Sequence, residues 1–245
     1  MPALKRPKMK ALVFDGEALR ERSVPRPVPR RGEALIKVRC AGICSTDLEI
    51  LRGYMSFRGI PGHEFVGTVL SPSAGKLAGA RVVGEINVPC GVCALCRRGL
   101  GKHCPRRSVL GIDGRNGAFA DYLTLPIRNL HVVPASLSDE EAVFTELVAA
   151  ACEIPARIEL GRGAEVYVLG DGRLAAMVAQ VIRLETKHVT LLGVDPAKLE
   201  RIAAIGVETR DARRRGRKLD RRDVVIDCTG SPEGLPLAAE LVKPR

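Results

Sequence analysis

Four cysteines crowd into one short stretch. Cys90, Cys93, Cys96 and Cys104 are separated by two, two and seven residues, with Gly91 and Gly99 as turn points. Four thiolates at this spacing can close tetrahedrally around one Zn²⁺ and leave no position for solvent. The stretch then becomes a lobe, residues 86–108, whose folding energy comes largely from the metal rather than from an apolar core. The chain must leave its main fold, form this lobe and return. An iron–sulfur cluster fits less well. Cys104-Pro105 is like the end of a ferredoxin run, but the gap between the last two cysteines is too long for one. The chain has eight cysteines, and their clustering at ligand spacing suits a reducing compartment better than a disulfide framework, so a cytoplasmic location is expected.

A second, different group lies upstream. Cys44 sits in Gly42-Ile43-Cys44-Ser45-Thr46-Asp47 and His63 in Gly62-His63-Glu64. Either residue alone is ordinary, a buried thiol or a satisfied imidazole. Joined by an acidic ligand, they would make a catalytic zinc site with one position open to water or substrate. Two acids are candidates. Glu64 adjoins His63, whereas Glu146 stands among Ala142, Val143, Phe144, Leu147, Val148 and Ala149. A carboxylate in such apolar company is costly unless paired or bound to metal.

Composition excludes several classes. At 245 residues and 46% apolar, the chain has the make-up of a globular protein with one large or two small domains. No apolar run approaches the roughly 18 residues of a membrane span. Met1 to Lys10 is basic, but no apolar run follows, so it is not a secretory signal. The net charge of +11 has one dense source, Arg213, Arg214, Arg215, Arg217, Lys218, Arg221 and Arg222. Single-strand nucleic-acid surfaces interleave such charge with aromatic residues. No Tyr or Phe is near this run in sequence, so a nucleic-acid partner is not expected. A basic surface that attracts a phosphorylated cofactor is the better account.

The two halves differ in periodicity. Short alternating segments fill the first: Lys10–Phe14, Glu17–Arg20, Glu33–Val38, Phe65–Leu70, Arg81–Gly84 and Phe119–Leu125, punctuated by turn glycines. They predict a partly closed β-rich domain. Ser136–Pro155 reads as a helix, with Ser138 and Glu141 at capping-box spacing. Strand and helix then alternate: Glu165–Leu169, Leu174–Leu184, His188–Leu192, a helix opened by Asp195-Pro196, a short strand near Val207–Thr209, and Asp223–Cys228. That rhythm predicts a parallel α/β sheet. Domains are placed at 1–155 and 156–245.

The first α/β turn reads Gly170-Asp171-Gly172-Arg173-Leu174-Ala175. It matches the Gly-x-Gly-x-x-Ala form of the dinucleotide fingerprint, between an apolar strand and a helix. The pyrophosphate would rest on the helix N-terminus with Arg173 and Leu174 beside it. Thr229, after the last strand, is a further candidate contact. Gly193 stands where an acid would grip the ribose of NAD, and Asp195, two residues later, doubles as a helix cap. NAD and NADP therefore both remain open.

These motifs, with Gly117-Ala118-Phe119-Ala120-Asp121-Tyr122 and Thr145-Glu146-Leu147, run in one order that resembles the zinc-dependent medium-chain alcohol dehydrogenase family, in particular its sorbitol- and threonine-dehydrogenase-like branches. The resemblance implies a GroES-like catalytic domain followed by a Rossmann domain that stops short of the family's full length. It implies one catalytic and one structural zinc. Cys44, His63 and Glu146 match the catalytic ligands, although Leu147 replaces the proline of the polyol branch. Glu64 matches the acid behind the metal, Asp47 the partner that orients His63, and Thr46 the hydroxyl that takes the substrate proton. The implied reaction moves a hydride between an alcohol or polyol and NAD(P), in either direction. Glu49, Tyr54, Met55 and Arg58 are candidate substrate contacts. Full-length members form homo-oligomers. A shortened, non-catalytic zinc- and nucleotide-binding protein is the rival reading.

Overall fold

Among the described residues of the first half, every sheet contact but one is antiparallel. The computed structural model describes residues 6–213 and 219–244. β1 (Lys8–Phe14) and β2 (Leu19–Pro25) form a hairpin across the Asp15-Gly16 turn. β3 (Glu33–Gly42) is followed by the short helix α1 (Ser45–Leu51), then β4 (Glu64–Val69) and β5 (Arg81–Gly84). β6 (Asn87–Val88), α2 (Ala94–Arg97), β7 (Ser108–Leu110) and β8 (Gly114–Arg115) build the small lobe and its root, with β7 and β8 the single parallel pair. β9 (Tyr122–Pro126) and β10 (Leu130–Val132) return to the main sheet, whose order is β10-β5-β4-β3-β9.

The alternation that predicted these strands also fills the core. Ile36 on β3 faces Val69 on β4 and Leu123 on β9, and all three are buried with Phe65, Val82 and Leu125 in one cluster. A register shift between Val38 and Cys40 lets the far end of β3 continue until Gly42 stands opposite Glu64. A bulge of this kind bends a strand and re-aims the residues beyond it. Here those residues lead directly to Cys44.

The single helix expected over 136–155 is two. α3 (Asp139–Ala142) opens on the anticipated box, with Ser138 Oγ accepting from the Glu141 amide at 3.1 Å and Glu141 Oε2 accepting from the Ser138 amide at 2.8 Å. It ends early because the Thr145 hydroxyl donates to the Ala142 carbonyl at 2.7 Å, taking an acceptor that a continuing helix would use. α4 (Thr145–Cys152) then starts afresh.

The chain separates into two compact units, one ending at Glu146 and the other beginning at Leu147, so the division falls inside α4. In the second unit, β11 (Val166–Leu169), α5 (Arg173–Ile182), β12 (Val189–Gly193), α6 (Pro196–Ala204), β13 (Glu208–Asp211), β14 (Val224–Asp227) and α7 (Gly234–Leu241) follow one another. The strands pair in parallel in the order β13-β12-β11-β14. β11 is buried on both faces: Val166 and Val168 join Val178, Ile182 and Ile202, while Tyr167 and Leu169 join Leu241. Burial on both faces is why such strands read as unbroken apolar runs.

Of the basic run, Arg214, Arg215, Arg217 and Lys218 lie outside the described residues. Arg222 is committed internally. Its guanidinium lies 4.9 Å over the Tyr167 ring and 2.8 Å from Glu165, an aromatic neighbour that sequence distance concealed. Among the described residues, no helix is long and apolar enough to cross a membrane.

Candidate metal centre and nucleotide turn

Cys44 caps the N-terminus of α1 in extended conformation, His63 directly precedes β4 and Glu64 begins it. One sulfur, one imidazole nitrogen and one carboxylate oxygen from Cys44, His63 and Glu64 lie within 4.8 Å of one another. His63 is 3% exposed and Glu64 is wholly buried. The three are brought together by Asp47, on the first turn of α1 and itself buried. Its Oδ2 accepts from the Cys44 amide at 2.8 Å, and its Oδ1 accepts from the Gly62 amide at 3.2 Å and lies 3.4 Å from His63 Nδ1. One carboxylate thus fixes both segments that carry the soft ligands. Such outer partners orient a ligating imidazole and raise its basicity.

The electrostatics fit a cation. Burial opposes the imidazolium form of His63, yet Asp47 and Cys44 raise its pKa to about 10. Burial likewise opposes ionisation of the Cys44 thiol, but His63 and the Thr46 amide outweigh it and hold the thiol below its ordinary range. Sulfur, nitrogen and oxygen donors gathered in this way suit a divalent zinc. Thr46 Oγ1 lies 3.8 Å from Cys44 Sγ.

Glu146, half-buried in the first turn of α4, stands outside this group. The carboxylate beside Cys44 and His63 is that of Glu64. The space it fills was made by a glycine, since a Cβ on Gly42 would lie 2.1 Å from Glu64 Oε2. That signal was present in Gly42-Ile43-Cys44 but had no meaning without the strand register.

The lobe also gathers its donors. Cys90, Cys93, Cys96 and Cys104 offer four sulfurs within 4.8 Å of one another, with separations of 3.9 Å for Cys90–Cys96, 3.4 Å for Cys93–Cys96 and 3.9 Å for Cys93–Cys104. Bonds of about 2.3 Å at tetrahedral angles put sulfurs about 3.8 Å apart, so the spacing suits zinc. The Val92 amide draws the Cys90 thiol down to about 6, while burial and then Cys93 push Cys96 up to about 11. Thiols this close cannot all ionise without a cation among them.

At the nucleotide turn, Gly170 follows β11 with φ +112°, a conformation that favours glycine, and a Cβ there would lie 3.0 Å from the Cys228 carbonyl oxygen and 3.4 Å from the Thr229 amide nitrogen. This brings Thr229 beside the turn. Gly172 caps α5 with nothing within 4 Å of its missing Cβ, so the amide end of a ten-residue helix is open to an anion. Ala175 is fully buried and lets α5 lie close on the sheet, whereas Arg173 and Leu174 are exposed. Asp195 caps α6 by accepting from the Ala197 and Lys198 amides. Sequence reasoning missed Asp171. Its Oδ2 accepts from the Val194 and Asp195 amides at 2.7 and 2.8 Å, tying the turn to the end of β12.

Glu49, Tyr54, Met55 and Arg58 are all exposed, with Glu49 paired to Arg52 at 2.6 Å. A cavity of about 650 Å³ lies elsewhere in the first unit, lined by Arg26, Arg30, Glu33, Arg115 and Tyr122, and includes none of the metal-site residues.

Comparison with known proteins follows this geometry. The family model of the alcohol dehydrogenase GroES-like domain matches residues 30–135. The L-threonine 3-dehydrogenase of Coxiella burnetii (strain Dugway 5J108-111) is 35% identical over 193 residues, covering 75% of this chain and 56% of that protein. The alcohol dehydrogenase TADH from Thermus sp. ATN1 has a solved structure that matches with a TM-score of 0.85 at 30% identity, covering 96% of this chain and 75% of that one. A zinc-binding dehydrogenase from Sinorhizobium meliloti 1021, solved bound to NADP, matches with a TM-score of 0.86 at 29% identity, covering 97% and 75% of the two chains. The chain thus spans little more than half the length of the first threonine dehydrogenase it matches.

Proposed function

This chain belongs to the zinc-dependent medium-chain alcohol dehydrogenase family, and we propose that it carries the metal and nucleotide machinery for moving a hydride between the CH–OH carbon of a small alcohol or polyol and NAD(P). The observation that supports this most strongly is the convergence of Cys44, His63 and Glu64 within 4.8 Å, with a hydroxyl on Thr46 beside the sulfur.

Cys44, His63 and one acid, Glu64 or Glu146, would hold the catalytic ion. Zinc there would supply Lewis acidity that lowers the pKa of an alcohol hydroxyl, and the nicotinamide would take the hydride. Asp47 keeps the His63 ring in one orientation through Nδ1, leaving Nε2 for the metal. Thr46 Oγ1 receives the proton released by the substrate hydroxyl and passes it outward. The open amides at the head of α5 bind pyrophosphate, with Thr229 beside Gly170. Cys90, Cys93, Cys96 and Cys104 would hold the second zinc, which has no open position and shapes the lobe. The same parts serve carbonyl reduction. The names of the matched relatives favour alcohols, L-threonine among them, as substrates.

The test is turnover. Purified protein with zinc, NAD or NADP and a panel of polyols, secondary alcohols and L-threonine should change nicotinamide absorbance. Cys44→Ala should abolish this while the Cys90–Cys104 lobe keeps its metal. Full activity in Cys44→Ala would defeat the proposal, and cofactor binding without turnover by the unaltered protein would favour the non-catalytic rival.

A further inference from the structure

We infer that the first unit carries a second binding site, the cavity between the β1–β2 hairpin and β9, which takes a small organic phosphate. Arg26 and Arg30 hold the phosphate, and Met9, Val13 and Val24 receive its apolar body. The site stands apart from the Cys44–His63 centre and from the nucleotide turn, and it depends on neither reading.

The cavity measures about 650 Å³, a size that suits a small organic ligand. Its position follows from the strand pairing. β1 pairs with β2 along its whole length, and Ala11 bridges to Ala120 just ahead of β9. One face of the hairpin therefore lies against the segment that enters β9. Met9, Ala11 and Ile60 are buried there, with Val13, Val24 and Tyr122 packed against them. This is the apolar side of the cavity. The charged side has nearly one sign: among the described residues, Arg6, Arg26, Arg30 and Arg115 stand against a single carboxylate, Glu33.

That carboxylate is already spent. Glu33 is 8% exposed, its Oε1 lies 2.9 Å from Arg115 Nη2, and its Oε2 accepts from the Arg30 amide at 3.0 Å. Arg115 is spent with it, since Nη1 donates to the Thr124 carbonyl at 3.1 Å. Arg26 and Arg30 are left over. Among the described residues, neither guanidinium has a carboxylate partner. Arg26 is nonetheless held in place. Its guanidinium carbon lies 4.1 Å over the Tyr122 ring, and its Nε is buried with no hydrogen-bond partner. A cation in that state is costly unless an anion completes it.

Charge and lining together select the ligand. Two uncompensated guanidiniums match a phosphomonoester, which carries nearly two negative charges near neutral pH. Their planar forks of N–H donors also meet phosphate oxygens in pairs. Inorganic phosphate would satisfy the cations but leave the apolar wall uncovered. A carboxylate would supply only one charge.

Isothermal titration of the full chain with phenyl phosphate, inorganic phosphate and benzoate tests this without turnover. Phenyl phosphate should bind with a Kd of about 1 mM or tighter, and about tenfold tighter than either of the others. Its affinity should fall as salt rises from about 0.1 to about 0.5 M. Arg26→Ala and Arg30→Ala should each weaken it about tenfold, while Arg173→Ala at the nucleotide turn should leave it unchanged. Arg30 is exposed, so Arg30→Ala should keep the normal melting curve and carries the test even if Arg26→Ala, which also loses the Tyr122 stack, fails to fold. No saturable binding up to about 10 mM overturns the inference. Equal affinity for inorganic phosphate or benzoate does so too. Binding lost in Arg173→Ala but kept in Arg30→Ala would place the anion at the head of α5 and overturn it as well.

Discussion

Gly117→Ala should disable the proposed Cys44–His63 metal site from a distance. Gly117 has an ordinary φ, so the cost is packing alone. Its added Cβ would lie 2.1 Å from the Gly62 carbonyl oxygen, 2.6 Å from Gly111 Cα and 2.6 Å from the Pro61 carbonyl oxygen. All three are backbone atoms, and each contact is roughly 1 Å or more short of a comfortable separation. No rotamer change can relieve it. The 61–62 segment must move, and it carries His63 at its end and donates the Gly62 amide to Asp47. Overpacking of this kind costs about 1–3 kcal/mol, or a fall in Tm of about 3–10 °C for a unit of this size. Zinc sites tolerate about 0.2 Å in ligand distance, so the shift should weaken the Cys44–His63 site while sparing the cysteine lobe. Zinc content under graded chelator, read beside a melting curve, checks both effects. Gly161→Ala, with nothing within 4 Å, is the control. A Gly117→Ala protein with unchanged Tm and two tightly held zincs would refute the reasoning.

Thr46→Val should lower kcat about 10²-fold or more if Thr46 carries the substrate proton, with zinc content and cofactor affinity unchanged and activity regained in Thr46→Ser. A second expectation concerns acid stability. The Glu165 carboxyl is held below its usual range by Lys243, and that of Asp223 by the Glu165 amide and then Lys243. Depressed carboxyl pKa values contribute stability that is present above the unfolded pKa, near 4, and lost as pH falls through the folded values. Lys243→Ala should therefore destabilise the protein near neutral pH, and urea midpoints of the two proteins should converge towards about pH 3. A constant gap across that range would contradict this account.

Much of this was legible because the signals were local. The Ser138–Glu141 box, the Asp195-Pro196 helix start and the glycine at φ +112° in the nucleotide turn each depend on neighbours within a few residues. What the sequence left open depends on register. It offered both Glu64 and Glu146 as the acid, and the bulged register of β3 sets Gly42 opposite Glu64. Glu146 drew attention for its apolar neighbours in sequence, and it stands half-buried in the first turn of α4. Asp171 read as a spacer in the fingerprint because its partners, Val194 and Asp195, are more than twenty residues away.

The two metal sites should respond differently to metal removal, and the difference follows from what holds each together. Cys44, His63 and Glu64 sit on elements with a core of their own: Phe65 and Val66 beside them are buried, and Asp47 ties the two segments by hydrogen bonds that need no metal. The lobe has no such support. α2 buries no residue, Val92 and Leu100 are exposed, and few apolar contacts remain beyond the thiols and their root at Val88 and Val109. Where a site is not preformed, metal affinity is folding energy. Chelation should therefore raise amide hydrogen exchange sharply across residues 89–106 while leaving β4 and α1 nearly as protected as before. Restoring zinc should refold the lobe. Exchange that rises equally around His63 and around Cys96 would show that the Asp47 tie does not preorganise the first site.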